Sequence, residues 1–455
     1  MGKAQEVALT SQEPGERLPL LAQAAPPAKI YLSQEEVVLQ AGSGPWAGLR
    51  KALFGLLGAL FGGMLLMAIL LLVTMPRPKP ALAWWQRASF YHLPKAAFPD
   101  SDGDGQGDLG GVRDHLDQLL ELPVHGLVLG SIFGGDVANL SHVHPAHGSL
   151  GHWQALLRDA RKREIRILLE FPVCEEEMDP VAEPNQTKQL LKRAMAFWDS
   201  EGVHGFLVRK ESTHCLEMVL DAWGELDQEI PPVRGQERVL MVWDESEACN
   251  ISHKVPSRVI LTCHIPSSGK NLTSQAIVQR MERILGNPGA PWPSWMVPQD
   301  VPVDNNLGQM LGVLLLTLPG VPLLPGGKGS PIHLERDPMN GNTNGHPLAN
   351  VYRSLLALRA NSSPLRGTGF APLTLADPSA NVLSFIRPGS CSGVLVVLNL
   401  GSYPFLFRLE QLGIPAPAKV LFNTALVSQT EVNMEVVKVA PGQAILLRVP
   451  RGLGQ

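Results

Sequence analysis

The stretch GDLGGVRDHLDQLLELPVHGLVLGSIF, Gly107–Phe133, carries two patterns in succession. Over Val112–Leu122 the apolar residues Leu116, Leu119 and Leu120 share one face at helical spacing. Gly126–Ser131 is then a short apolar run of strand length. A helix feeding a fully apolar strand is part of a βαβ unit, and such strands belong to parallel sheets covered by helices.

The same alternation extends on both sides. Apolar runs at Ala88–Leu93, Ile165–Phe171, Gly205–Arg209, Val239–Trp243, Val259–His264 and Leu315–Leu318 read as strands. Lys188–Ser200, with Leu190, Leu191, Ala194 and Phe197, and Leu348–Arg359 read as helices. Residues 77–365 therefore read as an α/β domain whose length suits a (β/α)₈ barrel; a doubly wound sheet fits the periodicity equally. Residues 366–455 change character. Val382–Ile386, Gly393–Leu398, Phe405–Leu409 and Ala444–Val449 are short strands between Gly, Pro, Ser and Asn, which predicts a small antiparallel β-sandwich.

The chain has 455 residues, 45% of them apolar, and a formal net charge of -4, so it lacks the basic excess that bulk binding to nucleic acid requires. Residues 52–76, ALFGLLGALFGGMLLMAILLLVTMP, carry no charge and are apolar on all faces. About 20 such residues cross a bilayer's hydrocarbon core, so this segment reads as a transmembrane helix and signal-anchor. Residues 1–51 read as a flexible cytoplasmic tail, in which Glu16-Arg-Leu-Pro-Leu20-Leu21 fits an acidic dileucine sorting string. Arg50 and Lys51 on one side and Arg77 and Lys79 on the other leave the positive-inside comparison nearly tied. The glycosylation sequons at Asn139, Asn185, Asn250, Asn271 and Asn361 all follow the span, and none precedes it. They place the C-terminal part outside or in a lumen, with the N-terminus in the cytoplasm.

Asp100-Ser-Asp102-Gly-Asp104-Gly105-Gln106-Gly-Asp108 sets acidic residues at positions 1, 3, 5 and 9, with the Gln106 carbonyl at position 7. Ca²⁺ takes several oxygens on a flexible loop, and clustered carboxylates repel one another without a cation, so a structural Ca²⁺ is expected here. Position 12 is Gly111, which excludes an EF-hand. His142, His144, His147 and His152 lack the spacing and companion cysteines of a zinc site and read as a solvated loop. The cysteines are Cys174, Cys215, Cys249, Cys263 and Cys391, as buried thiols or as one or two pairs.

Four strings share the order of one family: Ala83-Trp84-Trp85-Gln86, the Gly107–Phe133 stretch, AFWDSEGVHGFLVR (Ala196–Arg209) and LLTLPGVPLLPGG (Leu315–Gly327). They resemble the ectodomain of solute carrier family 3, the heavy-chain subunits of heteromeric amino-acid transporters. LSQEEVVLQAGSGPWAGLRKAL, Leu32–Leu53, is similar to the segment entering the membrane in the member 2 branch. The Asp100–Asp108 loop looks more like that of member 1 and the amylase-like glucosidases. The resemblance implies a (β/α)₈ barrel of glycoside-hydrolase (α-amylase) type with a C-terminal antiparallel β-sandwich, and it makes Trp84 and Trp85 the start of the barrel core rather than interfacial anchors.

Catalytic residues carried over from amylase-like enzymes meet substitutions. Arg209 stands at the nucleophile position, Leu207 at that of the assisting arginine, and Met296 at that of the third carboxylate. Asp244, followed by Glu245, stands at the acid/base position. A guanidinium has no lone pair with which to attack an anomeric carbon, so the resemblance implies an inactive barrel. It also implies a multi-span transporter light chain as partner, at the plasma membrane, with an endosomal or lysosomal destination left open. Family heavy chains hold that partner through a disulfide just outside the membrane. Here the corresponding position lies near Pro78 and no cysteine is close to it, so the association is expected to be non-covalent. Gly58 and Gly62 offer a small-residue face for helix packing. Two other readings stay open: a surface receptor or adhesion module on an inactive fold, and an active membrane-anchored glycosidase.

Overall fold

The computed structural model describes residues 32–74 and 81–450, apart from 135–139, 173–183, 233–234, 252–254, 267–271, 288, 299–304, 328–346, 375–377, 415–417 and 426–435. The chain divides into two units, Met1–Pro80 and Ala81–Gln455. The first holds α1 (Gln34–Gly42) and α2 (Pro45–Thr74). Ser33 caps α1, accepting from the Glu36 N–H while the Glu36 carboxylate accepts from the Ser33 N–H. Helix α2 is long and apolar enough to cross a membrane, and it starts seven residues before the expected span.

In the second unit α3 (Trp84–Arg87) precedes eight parallel strands that close into a barrel. These are β1 (Phe90–Leu93), β2 (Gly126–Leu129), β3 (Arg166–Phe171), β4 (Gly205–Arg209), β5 (Val239–Asp244), β6 (Val259–His264), β7 (Trp292–Met296) and β8 (Val321–Pro325). Strand β1 pairs with both β2 and β8, which closes the ring. The covering helices are α4 (Leu109–Asp114), α5 (Leu116–Leu120), α6 (Leu150–Lys162), α7 (Pro184–Glu201), α8 (Thr213–Glu229), α9 (Ser274–Leu285), α10 (Asn305–Thr317) and α11 (Pro347–Asn361). Among the described residues no helix links β5 to β6. There the Cys249–Cys263 disulfide closes a 14-residue separation. Cys215 is also disulfide-bonded, and Cys391 is free and exposed.

Strand residues pack on both sheet faces, which is why their sequences are continuously apolar. Phe90, Val128, Leu168, Leu207, Met241, Ile260, Met296 and Leu323 pack inside the barrel with Trp84 and Trp85, which are buried there. The Trp84 indole donates to the Glu237 carbonyl, just before β5, so these tryptophans close the floor of the barrel.

Two expectations change. Leu315–Leu318 is not a strand: α10 runs to Thr317 and the eighth strand is Val321–Pro325. A short all-apolar run lacks the periodicity that separates strand from buried helix. The break comes at Gly320, at φ +97°, where a Cβ would meet the Pro293 carbonyl oxygen at 2.0 Å. The continuous helix expected over Val112–Leu122 is broken at His115 into α4 and α5.

The C-terminal region pairs β9 (Ala371–Pro372), β10 (Val382–Arg387), β11 (Ser392–Asn399), β13 (Val420–Asn423) and β15 (Ala444–Pro450) in one antiparallel sheet. Strands β12 (Phe405–Arg408) and β14 (Val436–Val439) form a second. Successive β11 residues serve two cores. Val394, Val396 and Leu398 join the cluster that includes the barrel helices, while Leu395 and Val397 face the small sheet. The larger sheet is thus a middle layer.

Candidate functional site

In a (β/α)₈ barrel, residues that end strands face one common mouth. Here that mouth carries His92 from β1, Glu170 from β3, Arg209 from β4, Trp243 and Asp244 from β5, His264 from β6 and Met296 from β7. Glu170 is its electrostatic centre. His92 Nε2 lies 3.0 Å from one carboxylate oxygen, and Arg209 Nε donates to the other at 2.7 Å. Burial raises the Glu170 pKa, but the His92 and Arg209 contacts outweigh that and hold it at about 2, below the ordinary carboxylate value. Glu170 is therefore an anion bound between two donors.

Aromatic contacts fix the same groups. The Arg209 guanidinium lies 4.3 Å from the Trp243 ring centroid, and its Nη1 stands 3.8 Å from Glu245. The Trp243 indole N–H points to His264 Nε2 at 3.1 Å, and His92 meets the Trp243 ring edge to face. Met296 is fully buried in the barrel interior.

Asp244 faces away from this cluster. Lys210 Nζ donates to its Oδ2 at 2.7 Å and to the Asn250 carbonyl at 2.8 Å. The Ser246 and Asn250 backbone N–H groups also donate to Asp244. Asp244 thus pins the loop after β5, and Lys210 and the two amides hold both of its oxygens. The sequence pointed to Arg209, Asp244 and Met296 but not to His92, Lys210, Trp243 or His264. The available signal was a polar or aromatic residue ending an otherwise apolar strand.

The loop after β1 brings carboxylate oxygens of Asp100, Asp102 and Asp108 within 4.8 Å of one another. Asp100 accepts from the Gly105, Gly103 and Asp102 backbone N–H groups, which lowers its pKa, the Gly105 bond most. Gly103 and Gly105 have φ of +83° and +84°, the left-handed backbone that turns the amides inward. Asp108 caps α4 through the Gly111 N–H and accepts from Ser101. Burial raises its pKa, and these bonds lower it overall. Three hard oxygen donors at this spacing suit Ca²⁺. Asp104 is not among the three; its Oδ1 accepts from the Gln106 N–H.

Of the sequons, Asn185, Asn250 and Asn361 are exposed, whereas Asn139 and Asn271 lie outside the described residues, as does the dileucine string. A Cβ added at Gly58 or Gly62 would meet nothing within 4 Å.

The comparisons follow this architecture. Residues 93–209 match the family model "Alpha amylase, catalytic domain", and residues 22–91 match "Solute carrier family 3 member 2 N-terminus". The trehalulose synthase of Pseudomonas mesoacidophila superposes with a TM-score of 0.61 at 14% identity, covering 81% of this chain and 100% of that one. The α-amylase of H. orenii gives 0.61 at 17% identity, covering 80% of this chain and 99% of the other. These likenesses show the fold. An oligo-1,6-glucosidase of Saccharomyces cerevisiae is 32% identical over 25% of this chain and 21% of its own. The fold and site thus define an amylase-type (β/α)₈ domain in a chain with an apolar helix long enough to cross a membrane.

Similarity over nearly the whole length is to amino acid transporter heavy chain SLC3A2. The Mus musculus protein is 26% identical over 92% of this chain and 89% of its own, and the Oryctolagus cuniculus protein 27% identical over 92% and 88%. The chain is similar to the solute carrier family 3 heavy chains and carries an amylase-like barrel domain.

Proposed function

We propose that the chain is the ancillary heavy chain of an amino-acid transporter, a single-pass type II glycoprotein of the plasma membrane with its N-terminus in the cytoplasm. The observation that carries this reading is the relation to transporter heavy chains over 92% of the chain, apolar helix included. A multi-span light chain supplies the transport path, because alternating access needs two helical repeats or bundles that move against each other. This chain stabilises that subunit and carries it to the cell surface. The link is non-covalent, since the first cysteine in the sequence is Cys174, far beyond the span. Packing along Gly58 and Gly62 contributes to it.

The barrel performs no glycoside hydrolysis. A retaining mechanism needs a nucleophilic carboxylate and an acid on either side of the bond. Arg209 ends β4 and binds Glu170, and Lys210 binds Asp244, so the acidic groups of the mouth serve as counterions. Ca²⁺ held by Asp100, Asp102 and Asp108 would tie the loop after β1 to the barrel as a structural ion.

Affinity purification from membranes in mild detergent, with mass spectrometry and a non-reducing gel, tests the reading. The expected result is a multi-span amino-acid transporter that separates from the chain without reductant. If no transporter copurifies from several tissues, the ancillary reading fails and a receptor role replaces it. A reductant-sensitive complex that Cys391→Ser abolishes would overturn the non-covalent link. Hydrolysis of an α-glucoside that disappears in Asp244→Asn would overturn the inactive barrel.

A further inference from the structure

At the end opposite the mouth, the N-terminal ends of the strands form the floor of the barrel, and its arginines fall into two groups. Arg238 and Arg258 stand immediately before β5 and β6 and are paired, Arg238 with Asp199 at 2.7 Å and Arg258 with Asp227. Arg87, Arg161, Arg166 and Arg366 lie on the side that runs from β8 to β4. Among the described residues none of these four guanidiniums is in an ion pair.

Backbone bonds fix their order along the floor. Gly367, next to Arg366, accepts at its carbonyl from the N–H of Gly320, the residue before β8. Strand β8 pairs with β1, and Arg87 ends α3 just before β1. His125, immediately before β2, donates its N–H to the Ser89 carbonyl and accepts from the N–H of Arg166, the first residue of β3. Arg166 lies 4.7 Å from the Trp84 ring centroid. Arg161, in the last turn of α6, lies over Gly202, shortly before β4, where an added Cβ would meet its Nη2 at 2.0 Å. The arc from β8 to β4 crosses successive strand gaps of about 4.8 Å, roughly 19 Å in all. Arg87 and Arg161 are exposed, and Arg166 and Arg366 are half-buried.

The histidines of the floor register this charge. Packing around the ring lowers the His204 pKa to about 4, and Arg166 and Arg161 contribute. Packing also lowers that of His125, and Arg87, Arg166, Arg366 and Arg359 add to it. Glu164 and Glu237 act on Arg166, but neither is in an ion pair with it. A guanidinium stays charged and offers a planar fork of donors that suits anionic oxygens. A single small anion reaches one or two of these four, whereas an extended polyanion meets all of them.

We propose that this arc of the floor binds a sulfated polysaccharide, whose successive sulfates engage the guanidiniums in turn. The inference rests on the reading that this part of the chain lies outside the cell or in a lumen, where such polymers occur.

The test uses the full chain, purified in a non-ionic detergent, and an immobilised heparin fragment. Saturable binding is expected, with an affinity that falls linearly with salt on logarithmic axes. Arg87→Gln with Arg161→Gln changes only exposed side chains, so it keeps the fold. It should weaken binding by roughly three- to thirtyfold and lower the salt slope by about one for each cation removed. Arg408→Gln with Lys438→Gln neutralises two exposed cations on β12 and β14 and should change neither quantity. No saturable binding at about 50 mM salt overturns the proposal, and so does an equal loss in the two double variants. Desulfated heparin or poly-L-glutamate binding as tightly as heparin also overturns it, the second in favour of an acidic peptide. A mobility shift on enzymatic deglycosylation reports the side of the membrane independently, so that reading and this one can fail separately.

Discussion

At the barrel mouth an arginine meets a carboxylate; at the seam between barrel and sandwich, two arginines donate to backbone carbonyls. Arg209 binds Glu170, which also holds His92. At the seam Arg387, the last residue of β10, donates to the Thr317 and Gly367 carbonyls. Arg359 on α11 donates to the Leu316 and Gly320 carbonyls. Leu316 and Thr317 end α10, so both guanidiniums sit at the negative end of a helix, where a cation is favoured and the last carbonyls need donors. Burial lowers the pKa of both, to about 9 for Arg359. The mouth therefore depends on an ionisable partner, and the seam depends on backbone geometry.

The largest expected effect tests that contrast at the mouth. Glu170→Ala leaves His92 and Arg209 facing a vacated buried position and should cost about 3–5 kcal/mol, read as a lower urea midpoint of the purified chain. Glu170 should also govern acid stability. Its folded pKa of about 2 lies below the ordinary 4.5, so the unfolded chain takes up the proton first as pH falls. The stabilisation, about 3 kcal/mol, is complete above pH 4.5 and is lost as pH falls through about 2. Glu170→Gln should flatten that part of the pH–stability curve. An unchanged curve would show that the pair is not formed.

Next in size is the disulfide at the β5–β6 connection. Cys249→Ser with Cys263→Ser should cost about 2–4 kcal/mol by freeing a short loop in the unfolded chain, again read from denaturant midpoints. For the acidic loop, Ca²⁺ at about 100 times its dissociation constant should add roughly 2.7 kcal/mol, seen as a melting temperature that rises with Ca²⁺. Asp108→Asn should remove the Ca²⁺ response; a response that persists would move the ion elsewhere. The smallest effect is expected at the seam. Arg387→Met leaves two neutral carbonyls without donors but also removes a buried charge, so a loss of about 1–3 kcal/mol is expected. A loss equal to that of Glu170→Ala would erase the distinction between the two regions.

The barrel's strands were legible in the sequence wherever the apolar run was clean, as in Gly205–Arg209 and Val259–His264. Strand β7, Trp292-Pro-Ser-Trp-Met296, was not found as a strand, because Pro and Ser interrupt the pattern that marks one. Leu315–Leu318 was misplaced because an all-apolar run has no period. In the site, Arg209 and Asp244 were found through their place in the family pattern. Nothing local to Glu170 reveals that His92, 78 residues earlier, and Arg209, 39 residues later, converge on it.

What the sequence by itself determined is what depends on neighbours along the chain. The apolar span, the α/β alternation, the antiparallel C-terminal strands and the Asp100–Asp108 loop all follow from local pattern and spacing. The tertiary structure alone decided which groups meet: that Glu170 is clamped, that Lys210 neutralises Asp244, and that Cys249 pairs with Cys263. Electrostatic and hydrogen-bonding energies depend on separation in space and on burial, and closing a barrel sets both for residues that are remote in sequence.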